Sequence, residues 1–201
     1  MISLPADADD YSDLVRRAQG GEEVDFRRMR LAYLGSKAGE RTRSLIGRLE
    51  ELRAALHEAT RSADKDRQLV AQRVRETAVA LLSLEYIDLE GHRTLRIACK
   101  TLGDDECATR HKQVEFGLLA SIAHSGDGLA CKSAWEVVSV AEEYFSLRAL
   151  DLQAGRQAVV SEGGHTCDRM EATDRQGVAH TFYFNVDRLF EQYDKRMKTD
   201  R

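Results

Sequence analysis

The stretch Ile122-Ala123-His124-Ser125-Gly126-Asp127-Gly128 decides the fold, because the apolar spacing is helical on one side of it and changes to strands and turns on the other. Two glycines around an aspartate suit a backbone that leaves a helix through a left-handed residue and enters an extended segment. Asp127 is placed to close an Asx-turn. The spacing therefore predicts that Gly126 or Gly128 has a positive φ and that the corner is a structural hinge.

Upstream, Leu45, Leu49, Leu52 and Leu56 recur at steps of four, three and four, the mark of an amphipathic helix reaching to Thr60 and broken at Ala63-Asp64. Helices are predicted over 68–84, 88–102 and 105–123, carrying Val74, Ala78 and Leu81, then His92, Leu95 and Cys99, then Cys107, His111, Val114, Leu118 and Ile122 on their apolar faces. Two shorter helices are expected nearer the start, over 10–18 and 25–34. The Gly-, Ser-, Lys- and Glu-rich stretch 35–43 reads as a mobile loop. Successive helices with brief connections pack antiparallel, so residues 1–124 read as a stack of helical hairpins of the tetratricopeptide kind.

Downstream, Trp135 to Val140 is β-prone, 142–150 has helical spacing, and 157–161 suits a short strand. Segments 165–172 and 178–186 flank Asp174-Arg175-Gln176-Gly177, a hairpin signal. Val178, His180, Phe182, Phe184 and Val186 alternate with more polar neighbours, so one face of that sheet is covered. A last helix is expected over 188–197. The expected fold class is α+β, mostly α: an antiparallel helical-hairpin stack followed by a small antiparallel β-sheet with flanking helices over 125–201, packed as one compact unit.

The 201 residues hold 30 basic and 34 acidic side chains, a formal net charge of -4, with 42% hydrophobic residues and a single proline. That balance gives no general drive toward nucleic acid or an anionic membrane. The aspartate-rich opening lacks the apolar run of a secretory signal, and no window is long enough to span a bilayer. The expected compartment is the cytoplasm. There Cys99, Cys107, Cys131 and Cys167 read as reduced, packed hydrophobes rather than disulfides.

Three constellations invite chemistry. His92, Cys99, Cys107 and His111 suggest a metal, but His92 and Cys99 stand about 10 Å apart along a helix, whereas zinc ligands converge on one ion at about 2.0 to 2.3 Å. No metal and no cofactor is expected. His165 and Cys167 share a strand face with Asp168 beside them, the raw material of a thiolate and base, yet they precede a hairpin rather than open a helix. In the Gly126-Asp127-Gly128 loop the helix comes before the glycines, the wrong polarity for phosphate. His124, Ser125 and Asp127 form at most a hydrogen-bonded binding corner, to which Trp135, His165 and Asp168 are the other candidate binding residues.

The residues Tyr86-Ile-Asp-Leu-Glu-Gly-His92, Gly117-Leu-Leu-Ala-Ser-Ile122, Ser125-Gly-Asp-Gly128, Ala134-Trp-Glu-Val-Val-Ser-Val140, Glu142-Glu-Tyr144, Gly164-His165, Cys167-Asp168-Arg-Met170 and Tyr183-Phe-Asn-Val186 resemble, in that order, a family of bacterial proteins grouped as domain of unknown function 4919. The resemblance covers roughly residues 24 to 190 and implies a helical half followed by a small β-containing half. It implies no activity. Two departures are an expanded charged helical region between Lys37 and Asp66, and Cys167 where an aromatic residue is expected.

The function these observations favour is a non-catalytic cytoplasmic protein-binding module, in a particular form an immunity or adaptor protein that caps a secreted toxin. The alternative is a small hydrolase built on His124, Ser125 and Asp127 or on His165 and Cys167.

Overall fold

The computed structural model describes residues 8–62 and 66–191. The chain is α+β and mostly α, and it divides into two compact units, 1–118 and 119–201. The dividing point falls inside a helix, a few residues before the hinge.

The first unit holds α1 (Ala8–Gln19), α2 (Phe26–Gly35), α3 (Lys37–Ser44), α4 (Ile46–Thr60), α5 (Arg67–Leu84), α6 (Leu89–Thr101) and most of α7 (Asp105–Ala123). Several of its helix starts are set by capping side chains. Asp25 accepts from the Arg28 amide, Asp66 from Gln68 and Leu69, and Asp88 from Gly91, each satisfying amides that have no partner inside the helix. The expected loop at 35–43 is instead α3: Ser36 ends α2 and caps the next helix through Gly39, and the Thr42 hydroxyl donates to the Leu84 carbonyl. Composition suggested mobility, and a cap with a tertiary hydrogen bond overrode it.

The core of this unit joins Leu49, Leu52 and Leu56 of α4 to Ala71, Val74, Ala78, Leu81 and Leu82 of α5 and to Leu95, Ala98 and Cys99 of α6. A buried leucine contributes about 2 kcal/mol of transfer free energy, so this seam stabilises the stack. Leu45, the first of the four leucines at helical spacing, is 40% exposed, because it lies between α3 and α4 rather than on the inner face. The predicted break at 63–64 lies outside the described residues.

One polar clamp ties α4 to the turn between α5 and α6. Arg53 donates to Asp88 Oδ2 from Nε (3.0 Å) and Nη2 (2.8 Å) and to Glu85 Oε2 (2.6 Å), and both carboxylates are buried. Removing the guanidinium strands two anions in a region of low polarity. Arg53→Leu is therefore expected to lower stability by about 2 kcal/mol, below the fully buried range because a third of the arginine side chain meets solvent. Urea unfolding at neutral pH checks this; an unchanged midpoint would show the clamp to be idle.

The second unit carries a 3-10 turn (Cys131–Ser133), β1 (Trp135–Glu136), α8 (Val140–Ala149), β2 (Gln153–Glu162), β3 (His165–Thr173) and β4 (Ala179–Asn185). The strand order is β1-β4-β3-β2. β2, β3 and β4 are antiparallel neighbours, but β1 runs parallel to β4, with Trp135 beside Phe184, so the sheet is mixed rather than purely antiparallel. The β-prone run from Trp135 yields only two strand residues. Ser139 caps α8 through the Glu142 amide while the Glu142 carboxylate takes the Val138 amide, a reciprocal cap that turns the rest of the run into a helix start. The hairpin at Asp174–Gly177 forms where its residues predict it, with the Asp174 carboxylate accepting from the Gln176 and Val178 amides. A helix begins at residues 187–191; the rest of the expected 188–197 helix lies outside the described residues.

Opposite residues of paired strands share a face. Val159, Asp168 and Phe184 thus lie on one side of the sheet, the side on which Gln157 of β2 meets Glu143 and Tyr144 of α8. Val160, Cys167 and Tyr183 form a small cluster with Cys131 and Ala134 in the segment of the 3-10 turn. The first side is covered along β3, whereas the second is buried only at Cys167, and Glu171, Thr173 and Thr181 further along it are exposed.

Candidate functional site

The hinge corner is tied together by its own side chains. The Ser125 hydroxyl donates to the Ile122 carbonyl (2.6 Å) and accepts from the Glu136 amide (2.8 Å). Asp127 Oδ1 accepts from the Leu129 amide (2.8 Å) and the Ser133 hydroxyl (2.6 Å), and the amides of Asp127 and Gly128 converge on the Ser133 carbonyl at 3.0 and 2.9 Å. The Ser133 hydroxyl, then the Leu129 amide, hold the Asp127 carboxyl below its usual range. Gly128 has φ +70°, the left-handed residue the sequence requires. His124 is exposed one residue beyond α7, and its ring makes no hydrogen bond with Ser125 or Asp127 among the described interactions.

Trp135 leaves this corner and begins an aromatic ledge. Its indole N–H donates to the Gly126 carbonyl (3.1 Å), its ring stacks on Phe182 (5.2 Å between centroids, 15° between planes) and meets Phe184 at a tilt, and His180 stacks beyond Phe182 at 6.4 Å. Offset or tilted ring pairs of this kind contribute about 0.5 to 1.5 kcal/mol beyond the area they bury. Beside them the Gly128 carbonyl accepts from the Tyr183 amide, which binds the loop to β4. Leu129, next along the loop, is 66% exposed, the highest exposure of any large apolar side chain among the described residues.

The sheet also buries a pair of acids that the sequence reading half missed. Asp168 is among the candidates that the sequence offers; Glu143 is not. The Gln157 amide nitrogen donates to Asp168 Oδ2 (2.6 Å) and Glu143 Oε2 (3.3 Å), and the Tyr144 hydroxyl donates to the Gln157 oxygen (3.3 Å). One oxygen on each acid, Glu143 Oε1 and Asp168 Oδ1, is buried without a hydrogen-bond partner. A proton kept on Glu143 allows a hydrogen bond to the Asp168 carboxylate in place of repulsion between two charges. Burial, followed by repulsion from the Asp168 charge, pushes the Glu143 carboxyl up to about 9. The signal available in the sequence was strand alternation: Asp168 shares a face with Met170 and Ala172, the apolar and covered side of β3, so the aspartate had to be buried.

The cysteines correct the reading of reduced thiols. Cys131 and Cys167 form a disulfide across 36 positions, and Cys99 and Cys107 another between α6 and α7. Cysteine 167 is therefore no thiolate, and His165 turns elsewhere: its Nδ1 lies 2.8 Å from Asp187 Oδ2, while Asp187 Oδ1 accepts from the Thr166 amide. The four candidate metal ligands of the helical unit separate into two pairs. His92 Nε2 meets the Tyr86 carbonyl at 2.6 Å and so carries its proton there, which leaves Nδ1 to accept from His111 Nδ1 at 2.8 Å. Burial first, then the neighbouring ring, lowers His92 to about 3; burial and Arg110 lower His111 to about 4. Asp104 completes a close group with Cys99 and Cys107, whose sulfurs are bonded to each other, and its Oδ1 caps α7 at the Cys107 amide.

A helical-hairpin unit, a hinge and a small mixed sheet define an α+β protein with two disulfides. The chain belongs to the family described as domain of unknown function (DUF4919), which it matches over residues 31–195. No curated protein and no solved structure matches it.

Proposed function

We propose that this chain is a non-catalytic protein-binding module whose contact face is the hinge loop and aromatic ledge of the second unit. The observation that carries it is Leu129: a large apolar side chain, 66% exposed, on a loop held in place by the hydrogen bonds of Asp127 and Ser133. An apolar anchor on a pre-organised loop loses little entropy on association, and such anchors supply most of the affinity of an interface. Leu129 and Trp135 act as anchors in this reading, with Asp127 and His124 on the polar rim.

The hydrolase alternative draws less support. Ser125 already spends its hydroxyl proton on a carbonyl, His124 does not reach it, and Cys167 is bonded to Cys131. No helix among the described residues is long and apolar enough to cross a membrane. The two disulfides favour an oxidising compartment over the cytoplasm, since a reducing one opens such bonds, and we take that setting. An immunity or adaptor protein that caps a secreted toxin is the particular form we propose.

The test compares the intact chain with Leu129→Asp, first by quantitative recovery of partners from cells of its source and then by titration of the purified partner. Leu129→Asp is expected to weaken binding by at least about tenfold with an unchanged melting temperature. Equal affinity for both forms would refute the proposed face. Ester or amide hydrolysis abolished by Ser125→Ala would refute the non-catalytic reading.

A further inference from the structure

β2 is the outer strand of the sheet, and from Gln157 to Glu162 its ladder to β3 is unbroken. Among the described residues, no backbone group of 155–162 is bonded to any element besides β3. An edge strand presents a row of unpaired amides and carbonyls, and proteins blunt such edges with proline, lysine, inward charge or a β-bulge, which here precedes the regular stretch, between Ala154 and Gln157. This stretch, Gln157-Ala-Val-Val-Ser-Glu162, has no proline and no lysine. Val159 is 59% exposed on it.

The charges at the two ends of the edge indicate what covers it. Arg156, in the bulge where the register shifts between Ala154 and Gln157, and Glu162, at the turn into β3, are both exposed. Neither is in an ion pair among the described residues, whereas Arg53, Arg96 and Arg175 each pair with an acid. Two antiparallel copies of one strand related by a two-fold axis must pair positions on the same face, so the axis passes through a residue. Centring it on Val159 sets Arg156 against Glu162 of the partner subunit, twice by symmetry. It also sets Gln157 against the partner's Ser161, Ala158 against the partner's Val160, and Val159 against itself. Moving the axis to Ala158 or Val160 loses both charge pairs.

We propose that β2 is a homodimerisation edge: two copies join β2 to β2 antiparallel about an axis through Val159, merging two four-stranded sheets into one. The edge lies on β2 and not on the hinge loop, so this inference stands apart from the proposed partner-binding face.

Sedimentation of the intact chain, with charge-swapped variants, tests it. The wild-type chain is expected to dimerise. Arg156→Glu and Glu162→Arg should each weaken the dimer by about tenfold or more, because each turns two attractive cross-strand pairs into repulsive ones. The double variant restores both pairs with signs exchanged and should dimerise as the wild type does. Val159→Cys should form an intermolecular disulfide on mild oxidation, since cross-strand partners stand within disulfide reach, while Ala158→Cys should not. Both charge sites are exposed, so an unchanged circular dichroism spectrum separates lost pairing from lost folding. A chain that stays monomeric up to about 100 µM, single variants that dimerise normally, a double variant that does not recover, or equal cross-linking at Ala158 would each overturn the proposal.

Discussion

Gly126→Val is expected to lower stability by about 3 to 5 kcal/mol, the upper range for a single substitution. A Cβ at this position would lie 2.2 Å from the Ser133 carbonyl oxygen and 2.7 Å from that of Ala134. Both are backbone atoms, so no rotamer change relieves the contact; the strand entry itself must shift. That shift also pulls on the Ser133 carbonyl, which holds the amides of Asp127 and Gly128, and on the Gly126 carbonyl that receives the Trp135 indole. Trp135 is the only tryptophan of the chain, so its fluorescence during urea unfolding reports this corner directly. A Gly126→Val protein within about 1 kcal/mol of wild type would show that the corner yields without loss. Asp127→Asn makes the contrast: it keeps the oxygen that accepts from Leu129 and Ser133 and should cost less than about 1 kcal/mol.

Why was this corner legible when other features were not? A glycine required by left-handed backbone or by close approach is a local demand, and the sequence states local demands directly. Gly128 meets the first, at φ +70°, and Gly126 the second. The helices α5, α6 and α7 were equally plain, since each carries an apolar stripe of several turns between recognisable caps. Short elements were misread where a single capping side chain outweighed composition. Ser36 made α3 from residues that resemble a loop, and Ser139 with Glu142 took Val140 from a strand into α8.

The site residues fared according to how far apart in sequence their partners lie. Ser125 and Asp127 find theirs within a dozen positions, and their structural use follows from the turn. The Cys131–Cys167 and Cys99–Cys107 bonds, by contrast, depend on which segments the tertiary fold brings together, and spacing alone cannot decide that. Glu143 was invisible for the same reason. On its own helix it is one of two consecutive acids near a positive helix end, an ordinary place for a carboxylate. Only the packing of α8 on β2 and β3 brings it against Asp168 and removes both from water.

Glu143→Gln is expected to stabilise the protein, and by an amount that grows with pH. The Glu143 carboxyl titrates near 4.5 in an unfolded chain and is pushed up to about 9 in the folded one, by burial and then by the Asp168 charge. A group raised on folding supports the folded state fully below its unfolded value, and that support is lost as pH climbs toward the folded value. Over that window the unfolded chain releases a proton that the folded chain must keep, at about 1.4 kcal/mol per pH unit. Near pH 7 the accumulated cost is roughly 3 kcal/mol. Glutamine retains the shape and offers Asp168 an N–H in place of the carboxyl proton, yet has nothing to release. The variant should therefore match wild type near pH 4 and exceed it by roughly 3 kcal/mol near pH 7. The His92–His111 pair acts with the opposite sign. Both rings are lowered from 6.5 on folding, so their contribution is complete above that value and fades as pH falls toward 4 and 3. Glu143→Gln thus leaves the acid limb of the stability curve in place and removes only the alkaline decline. A difference between variant and wild type that stays constant from pH 4 to 8 would mean that Glu143 is not the group that keeps its proton.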